Sequence, residues 1–163
     1  MEILDFVNFS SWDFLILTFF ISAACGYAFL YVARGKVMPM LVASALSLLL
    51  VDSAPISALE EFPARLIGFA AIFLLILFIF SRVIMQSPVG SETFGRIASL
   101  FLSFSQTGFL ISILTSLLPD PILNQLSNFV TTIFVEGNVI FYWAASSVLL
   151  LLLVGKRAND EVG

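Results

Sequence analysis

The sequence predicts an all-α fold, a polytopic bundle of about five transmembrane helices that forms a single membrane domain over residues 1–163. Hydrophobic residues make up 60% of the chain and charged residues 11%, whereas soluble domains are roughly 45–50% apolar and about 25% charged. The apolar residues gather in runs close to the ~20 residues that a helix needs to cross a bilayer. All six prolines lie between these runs or at their edges, which supports the boundaries.

The predicted spans follow one another with short connections. The first, 12–33, begins at Trp12 and carries Tyr27 and Tyr31 near its other end, as is typical of side chains at the two membrane interfaces. The second, 37–51, is short for a bilayer, so we expect its flanks to extend it. The remaining predicted spans are 64–85, 97–118 and 138–154.

The segment between the fourth and fifth spans, residues 121–135, is predicted to form one short amphipathic helix. Its apolar side chains recur at helical spacing and share one face, and Asn, Gln, Ser and Thr cover most of the rest. An interfacial helix on the outer leaflet is one interpretation. The other is a re-entrant segment whose polar face meets water, which is allowed only where it lines a cavity. The apolar face consists of Ile122, Leu126, Phe129, Val130 and Ile133.

The basic residues predict the orientation of the bundle. Arg34 and Lys36 lie between the first two spans, and Lys and Arg beside a span are retained on the cytoplasmic side. If the connection that carries Arg34 and Lys36 is cytoplasmic, five spans place the N-terminus outside and the C-terminus inside the cell. Of the seven basic residues, only Arg65 then falls outside. The predicted topology-determining residues are Arg34, Lys36, Arg82, Arg96, Lys156 and Arg157.

The composition excludes several classes of function. The chain has no histidine and a single cysteine, Cys25, and it contains no recognisable metal-ligand cluster, phosphate-binding loop or activated nucleophile. We therefore expect no enzyme activity, catalytic residue, cofactor or metal. The net charge of −4, with the basic residues spread along the chain, argues against nucleic acid as a partner. No charged residue lies near the centre of a predicted span, which argues against a proton-coupled transporter.

Small residues recur at four-residue spacing in the first four spans. Such residues let helix backbones approach closely and drive the association of membrane helices. They indicate either packing within one bundle or an interface between subunits. The candidate helix-packing residues are Ser22, Gly26, Ala43, Ser47, Ala64, Gly68, Gly108, Ser112 and Ser116.

The fourth span is the richest in hydroxyl groups. Ser99, Ser103 and Gln106 share one helical face by their spacing, and this face either lines a polar pathway or makes hydrogen bonds between helices. If such a pathway exists, we expect the polar side chains of residues 121–135 to line it as well. The candidate pathway-lining residues are Ser99, Ser103, Gln106, Asn124, Asn128 and Thr131.

Part of the chain resembles a known family. Trp12 and Asp13 open the first span, and Gly26 is followed eight residues later by Arg34 and Gly35. Together with the order of elements over residues 12–135, this pattern resembles the CvpA family, the colicin V production proteins of bacterial inner membranes. The resemblance implies a multi-pass location in the bacterial inner membrane and a role in peptide export or envelope homeostasis. It supplies no site residues, and the fifth span is an addition to the usual arrangement.

Two functions from different classes follow as expectations. The first is a CvpA-like oligomeric passive channel or export component, because small-residue faces and a hydroxyl-rich span are present without energy-coupling groups. The alternative is a non-conducting structural or scaffold subunit of a larger membrane complex, in which the same small residues dock partner helices. In both, the expected partners are the lipid bilayer and either further copies of the chain or another membrane protein.

Overall fold

The computed structural model describes residues 10–30, 39–53, 62–83 and 96–160, and every regular element in these ranges is an α-helix. The all-α class is therefore confirmed for the described part of the chain. The Arg34–Lys36 corner lies outside it. The helices are α1 (Ser11–Leu30), α2 (Pro39–Ser53), α3 (Ala64–Val83), α4 (Arg96–Ser116), α5 (Asp120–Leu123), α6 (Asn128–Phe134) and α7 (Val139–Asp160).

Local sequence determines where several helices begin and end. Ser10 and Asp13 cap α1 reciprocally, because the Ser10 amide donates to Asp13 Oδ2 and the Asp13 amide donates to Ser10 Oγ. At the end of α4, the amides of Leu117 and Leu118 donate hydrogen bonds to the carbonyl groups three residues earlier in the chain. The helix therefore ends at Ser116, two residues before the predicted limit of 118. α7 continues past the predicted limit of 154 to Asp160, since Gly155 alone does not terminate a helix.

One described helix is by length and composition able to cross a bilayer, with Ser11–Phe29 as its apolar part. A second is obtained if α6 and α7, which meet at a bend of 54°, count as one broken span. Elsewhere in the described residues the apolar helices are shorter, and the 15 residues of α2 reach only about 22 Å across a hydrocarbon core of about 30 Å. The five-span arrangement therefore stays a prediction. The shorter apolar helices are Pro39–Ser53, Ala64–Phe80 and Leu100–Ser116.

α4 occupies the centre of the described helices. It packs against α1, α2, α6 and α7, while α3 packs against α2. One buried cluster joins α2, α3 and α4 around Phe69 and Leu110, and a second joins α1, α4 and α6 around Ile16, Ile111 and Val130. Most side chains of α4 from Leu102 to Thr115 are therefore buried against other helices.

The predicted helix 121–135 is instead two short helices, α5 and α6. The chain breaks before α6 because Ser127 takes an extended conformation and accepts a hydrogen bond from the Val130 amide, as an N-cap does. The predicted apolar face exists, but it packs on protein: Val130 is buried in the cluster with Ile16 and Ile111. The described contacts thus place this face against α1 and α4.

The α2–α3 hairpin is closed by an ion pair between Arg65 and Asp52, whose atoms Nη2 and Oδ1 lie 2.5 Å apart. Both side chains are partly exposed, so the pair is screened and contributes little to stability. Arg65 is the single basic residue that the predicted orientation places outside.

A close contact between α4 and α7 gives the first testable prediction. A Cβ atom added at Gly108 would lie 2.5 Å from Cε3 of Trp143, whereas one added at Gly26 meets nothing within 4 Å. We expect Gly108→Ala to lower the thermal stability of the detergent-purified protein by roughly 1–3 kcal/mol, because the indole is forced to move. Gly26→Ala, the matched control, is expected to be neutral or stabilising, since alanine is the better helix former.

Gly108→Ala should cost less stability in a Trp143→Leu background than in the unaltered chain, because the smaller side chain leaves room for the new methyl group. Equal melting temperatures for Gly108→Ala and Gly26→Ala would contradict the contact.

Candidate functional site: the polar interior around α4

The described helices bury a set of polar side chains beside their hydrophobic clusters, and their outer surface is apolar. Large hydrophobic side chains are exposed on all the long helices, among them Phe14, Phe29, Leu74, Phe101 and Leu149. A surface of this kind is typical of contact with lipid or another apolar partner. The buried polar residues are Asp13, Ser44, Ser47, Ser103, Ser105, Gln106, Thr107, Ser112, Thr115 and Ser147.

Two buried serines on α2 bond within their own helix. Ser44 Oγ donates to Met40 O at 2.8 Å and Ser47 Oγ donates to Ala43 O at 2.6 Å. Such bonds satisfy the hydroxyl hydrogen without linking helices.

Ser103 links α4 to α1. Its hydroxyl is buried and donates to the carbonyl oxygen of Ala24, a fully buried residue of α1. The next residue of α4, Phe104, meets Phe20 of α1 edge to face, with ring centroids 5.4 Å apart. The face predicted to line a pathway is therefore packed against α1 at Ser103.

Ser105 is the centre of a hydroxyl cluster between α4 and α7. Its Oγ lies 2.5 Å from Ser146 Oγ and 2.9 Å from Ser147 Oγ. Both α7 serines also donate to the carbonyl oxygen of Trp143, each at 2.9 Å. Three hydroxyl groups and one carbonyl thus satisfy each other inside the bundle, as buried polar groups require.

Trp143 of α7 contacts three other helices, α1, α4 and α6. Its indole lies on Gly108 of α4, and its Nε1–H donates to Ile133 O at the end of α6 at 3.0 Å. The ring stacks with Phe134 at 6.2 Å between centroids and lies 6.2 Å from the ring of Phe20 in a tilted arrangement. The orientation of α6 against α7 therefore depends on this side chain.

The C-terminal part of α4 combines satisfied and unsatisfied hydroxyl groups. Thr115 Oγ1 lies 3.0 Å from both Ser112 O and Phe134 O. Thr107 Oγ1 and Ser112 Oγ are buried and have no hydrogen-bond partner in the described part of the chain. Since buried polar groups are nearly always paired, these two hydroxyls are the exceptions in the described interior.

The structure does not bring the predicted pathway-lining residues together. Ser103 and Gln106 are fully buried, and Thr131 donates to Ser127 O of its own helix at 2.9 Å. Asn124 and Asn128, in contrast, are exposed. The side chain of Ser99 lies outside the described residues.

The predicted helix-packing residues divide into two groups. Ala43, Ser47, Gly108 and Ser112 are buried at contacts within the chain. The others are wholly or partly accessible: Ser22, Gly26, Ala64, Gly68 and Ser116. On α1 the buried face is formed by residues such as Ile16 and Ala24, so Ser22 and Gly26 lie on the other face of that helix.

Of the residues predicted to set the topology, the described side chain is that of Arg82. It is exposed in the last turn of α3, with its guanidinium carbon 5.0 Å from the centre of the Phe78 ring. Arg96, Lys156 and Arg157 lie within α4 and α7, and their side chains are outside the described part of the chain.

Sequence reasoning missed the buried role of Asp13. Its carboxylate is fully buried, and besides capping α1 it accepts a hydrogen bond from the Ser127 amide at 2.9 Å through Oδ1. The Ser10-x-x-Asp13 spacing indicates the local cap. No local pattern indicates the contact with Ser127, which lies 114 residues away.

Sequence reasoning also missed the α7 half of the hydroxyl cluster. Trp143, Ser146 and Ser147 have the i, i+3, i+4 spacing of one helical face, which is a usable signal. Among the described residues there is no group of three or more His, Cys, Asp or Glu side chains that would hold a metal ion.

Comparison with known proteins gives no relative: no family model matches the chain, and neither a curated protein nor a solved structure matches it.

The hydroxyl cluster gives the second prediction. Ser105→Ala removes the hydroxyl that joins α4 to α7, and we expect a loss of about 0.5–1.5 kcal/mol in stability. Ser116→Ala is the control, because Ser116 Oγ donates only to Ile113 O of its own helix. Thermal unfolding in detergent measures both, and an equal response of the two variants would contradict a role of Ser105 between the helices.

Proposed function

We propose that this chain is a polytopic membrane protein of about five spans, with its N-terminus outside and its C-terminus inside, in the bacterial inner membrane. The single observation that carries the proposal is the apolar outer surface of helices that also bury hydroxyl and amide side chains. In water that distribution is unfavourable, because exposed apolar area is costly and buried hydroxyls gain nothing over exposed ones. In lipid it is the favourable arrangement.

The orientation rests on the distribution of the basic residues in the sequence. Arg82 is exposed in the last turn of α3, from where a long side chain reaches the interface. Arg65, the exception in the charge count, is paired with Asp52.

A topology experiment gives the third prediction. A reporter that is active only in the cytoplasm, fused after Gly163, is expected to be active, and the same reporter inserted in the 54–61 segment is expected to be silent. A reporter active only outside should give the opposite pattern. The reversed result at both positions would overturn the orientation.

Within that membrane we propose that the chain is part of an oligomeric passive channel or export pathway, held closed in this conformation. The support is the hydroxyl groups of α4, which extend from Ser103 to Thr115 in the interior. The hydroxyl groups of Thr107 and Ser112 have no hydrogen-bond partner there. In an open conformation they would be free to bind water or a passing polar solute. A CvpA-like role in peptide export or envelope homeostasis fits the same location.

One observation favours the alternative of a non-conducting scaffold subunit. Ser103 and Ser105 already make hydrogen bonds to neighbouring helices, as side chains that hold a static bundle together do. In a scaffold the accessible small residues Ser22 and Gly26 on α1 would receive a partner helix.

Ion flux distinguishes the two functions and gives the fourth prediction. The protein is reconstituted in liposomes, and its oligomeric state is measured on the same sample. If the chain forms a pathway, we expect an ion flux that falls at least about tenfold in Ser112→Leu, because the larger side chain fills the space between α4 and its neighbours. Ser116→Leu, on the exposed face of the same helix, is the control and should conduct as the unaltered chain does. A folded, monomeric preparation without flux would remove the channel and leave the scaffold.

A further inference from the structure

The short helix α6 is held at its two ends by three different long helices. At its start, the Ser127 amide donates to Asp13 Oδ1 of α1 at 2.9 Å. At its end, Phe134 O accepts from Thr115 Oγ1 of α4 and Ile133 O accepts from Trp143 Nε1 of α7, both at 3.0 Å. These three side chains satisfy backbone groups that a helix end leaves unpaired.

The underside of α6 covers the C-terminal part of α4. Val130 and Phe134, which are 0% and 1% exposed, pack in one cluster with Ile111. Next to Ile111 lies Ser112, whose buried hydroxyl has no partner in the described residues.

The connection from α6 to α7 has the properties of a hinge. The two helices meet at 54°, and Gly137 between them has φ of +55° with open space around its Cα. α6 is seven residues long, so its first residue lies about 10 Å further from the hinge than its last. The bond from Asp13 holds the distant end, whereas Thr115 and Trp143 hold the end beside the hinge.

From these contacts we propose that α6 forms a lid over the C-terminal end of α4, hinged at Gly137 and latched by Asp13. Opening breaks the Asp13–Ser127 hydrogen bond, swings the start of α6 away from α1, and exposes Val130 and the α4 surface beneath it to water. The lid rests on the packing of the described helices and applies to a channel and to a scaffold alike.

Cysteine labelling tests the lid in the detergent-purified full chain, which makes the result independent of orientation and of flux. In a Cys25→Ser background, Val130→Cys reports the underside of the lid and Asn128→Cys its exposed face. Ser147→Cys reports the interior between α4 and α7. With a charged thiol reagent, we expect Asn128→Cys to react fast and the other two slowly.

Asp13→Ala is then expected to raise the labelling rate of Val130→Cys at least about tenfold, because a charge-assisted hydrogen bond is lost. The rates at Asn128→Cys and Ser147→Cys should not change. Asp120→Ala, which removes an exposed carboxylate from α5, is the matched control and should leave all three rates unchanged. Thr115→Val, which removes a bond close to the hinge, should raise the Val130→Cys rate by less than Asp13→Ala does.

Three outcomes overturn the proposal. If Val130→Cys labels as fast as Asn128→Cys when Asp13 is unaltered, no closed lid exists. A rate unaffected by Asp13→Ala in folded protein means that Asp13 is no latch, and parallel increases at positions 130 and 147 mean general loosening. If Asp13→Ala does not fold, Thr115→Val decides alone, and an unchanged Val130→Cys rate in that variant rejects the lid.

Discussion

The contact of the Trp143 indole with Gly108 is the interaction on which the arrangement of α4, α6 and α7 depends. Because Gly108 has no side chain, the ring lies directly on the α4 backbone and the two helices approach closely. That approach brings Ser105 within 2.9 Å or less of two α7 hydroxyls. The same ring donates to Ile133 O and so fixes the end of α6. One aromatic side chain thus determines the separation of two long helices and the position of a third, short one.

The buried hydroxyl groups impose a requirement on the described helices. A hydroxyl that is buried gains an acceptor only from another polar group of the protein, since the apolar side chains around it provide none. α2 meets this requirement with its own carbonyls, at Ser44 and Ser47. α4 meets it largely with carbonyls and hydroxyls of α1, α6 and α7, which makes α4 the helix that links the others.

The segment after α4 illustrates how tertiary contacts replace a membrane interface. Residues 121–135 have the pattern of a helix that rests on lipid, and yet the apolar side of α6 packs on α1 and α4. The carbonyl groups at the end of α6 are satisfied by Thr115 and Trp143. This resembles the broken helices of membrane proteins, whose irregular backbone is tolerated where protein surrounds it. A segment held in this way by a few side chains is suited to move as a unit when one of them is released.

The amino-acid sequence by itself determined the all-α class, the approximate positions of the long helices and the polar character of α4. These properties follow from composition and from local spacing, which act over a few residues. Only the tertiary structure decided which neighbours the polar groups meet. Ser103 bonds to α1 rather than lining a shared face with Asn128, and Asp13 reaches Ser127. Such partners are far apart in the chain, and their pairing depends on how the helices pack, which no local pattern specifies.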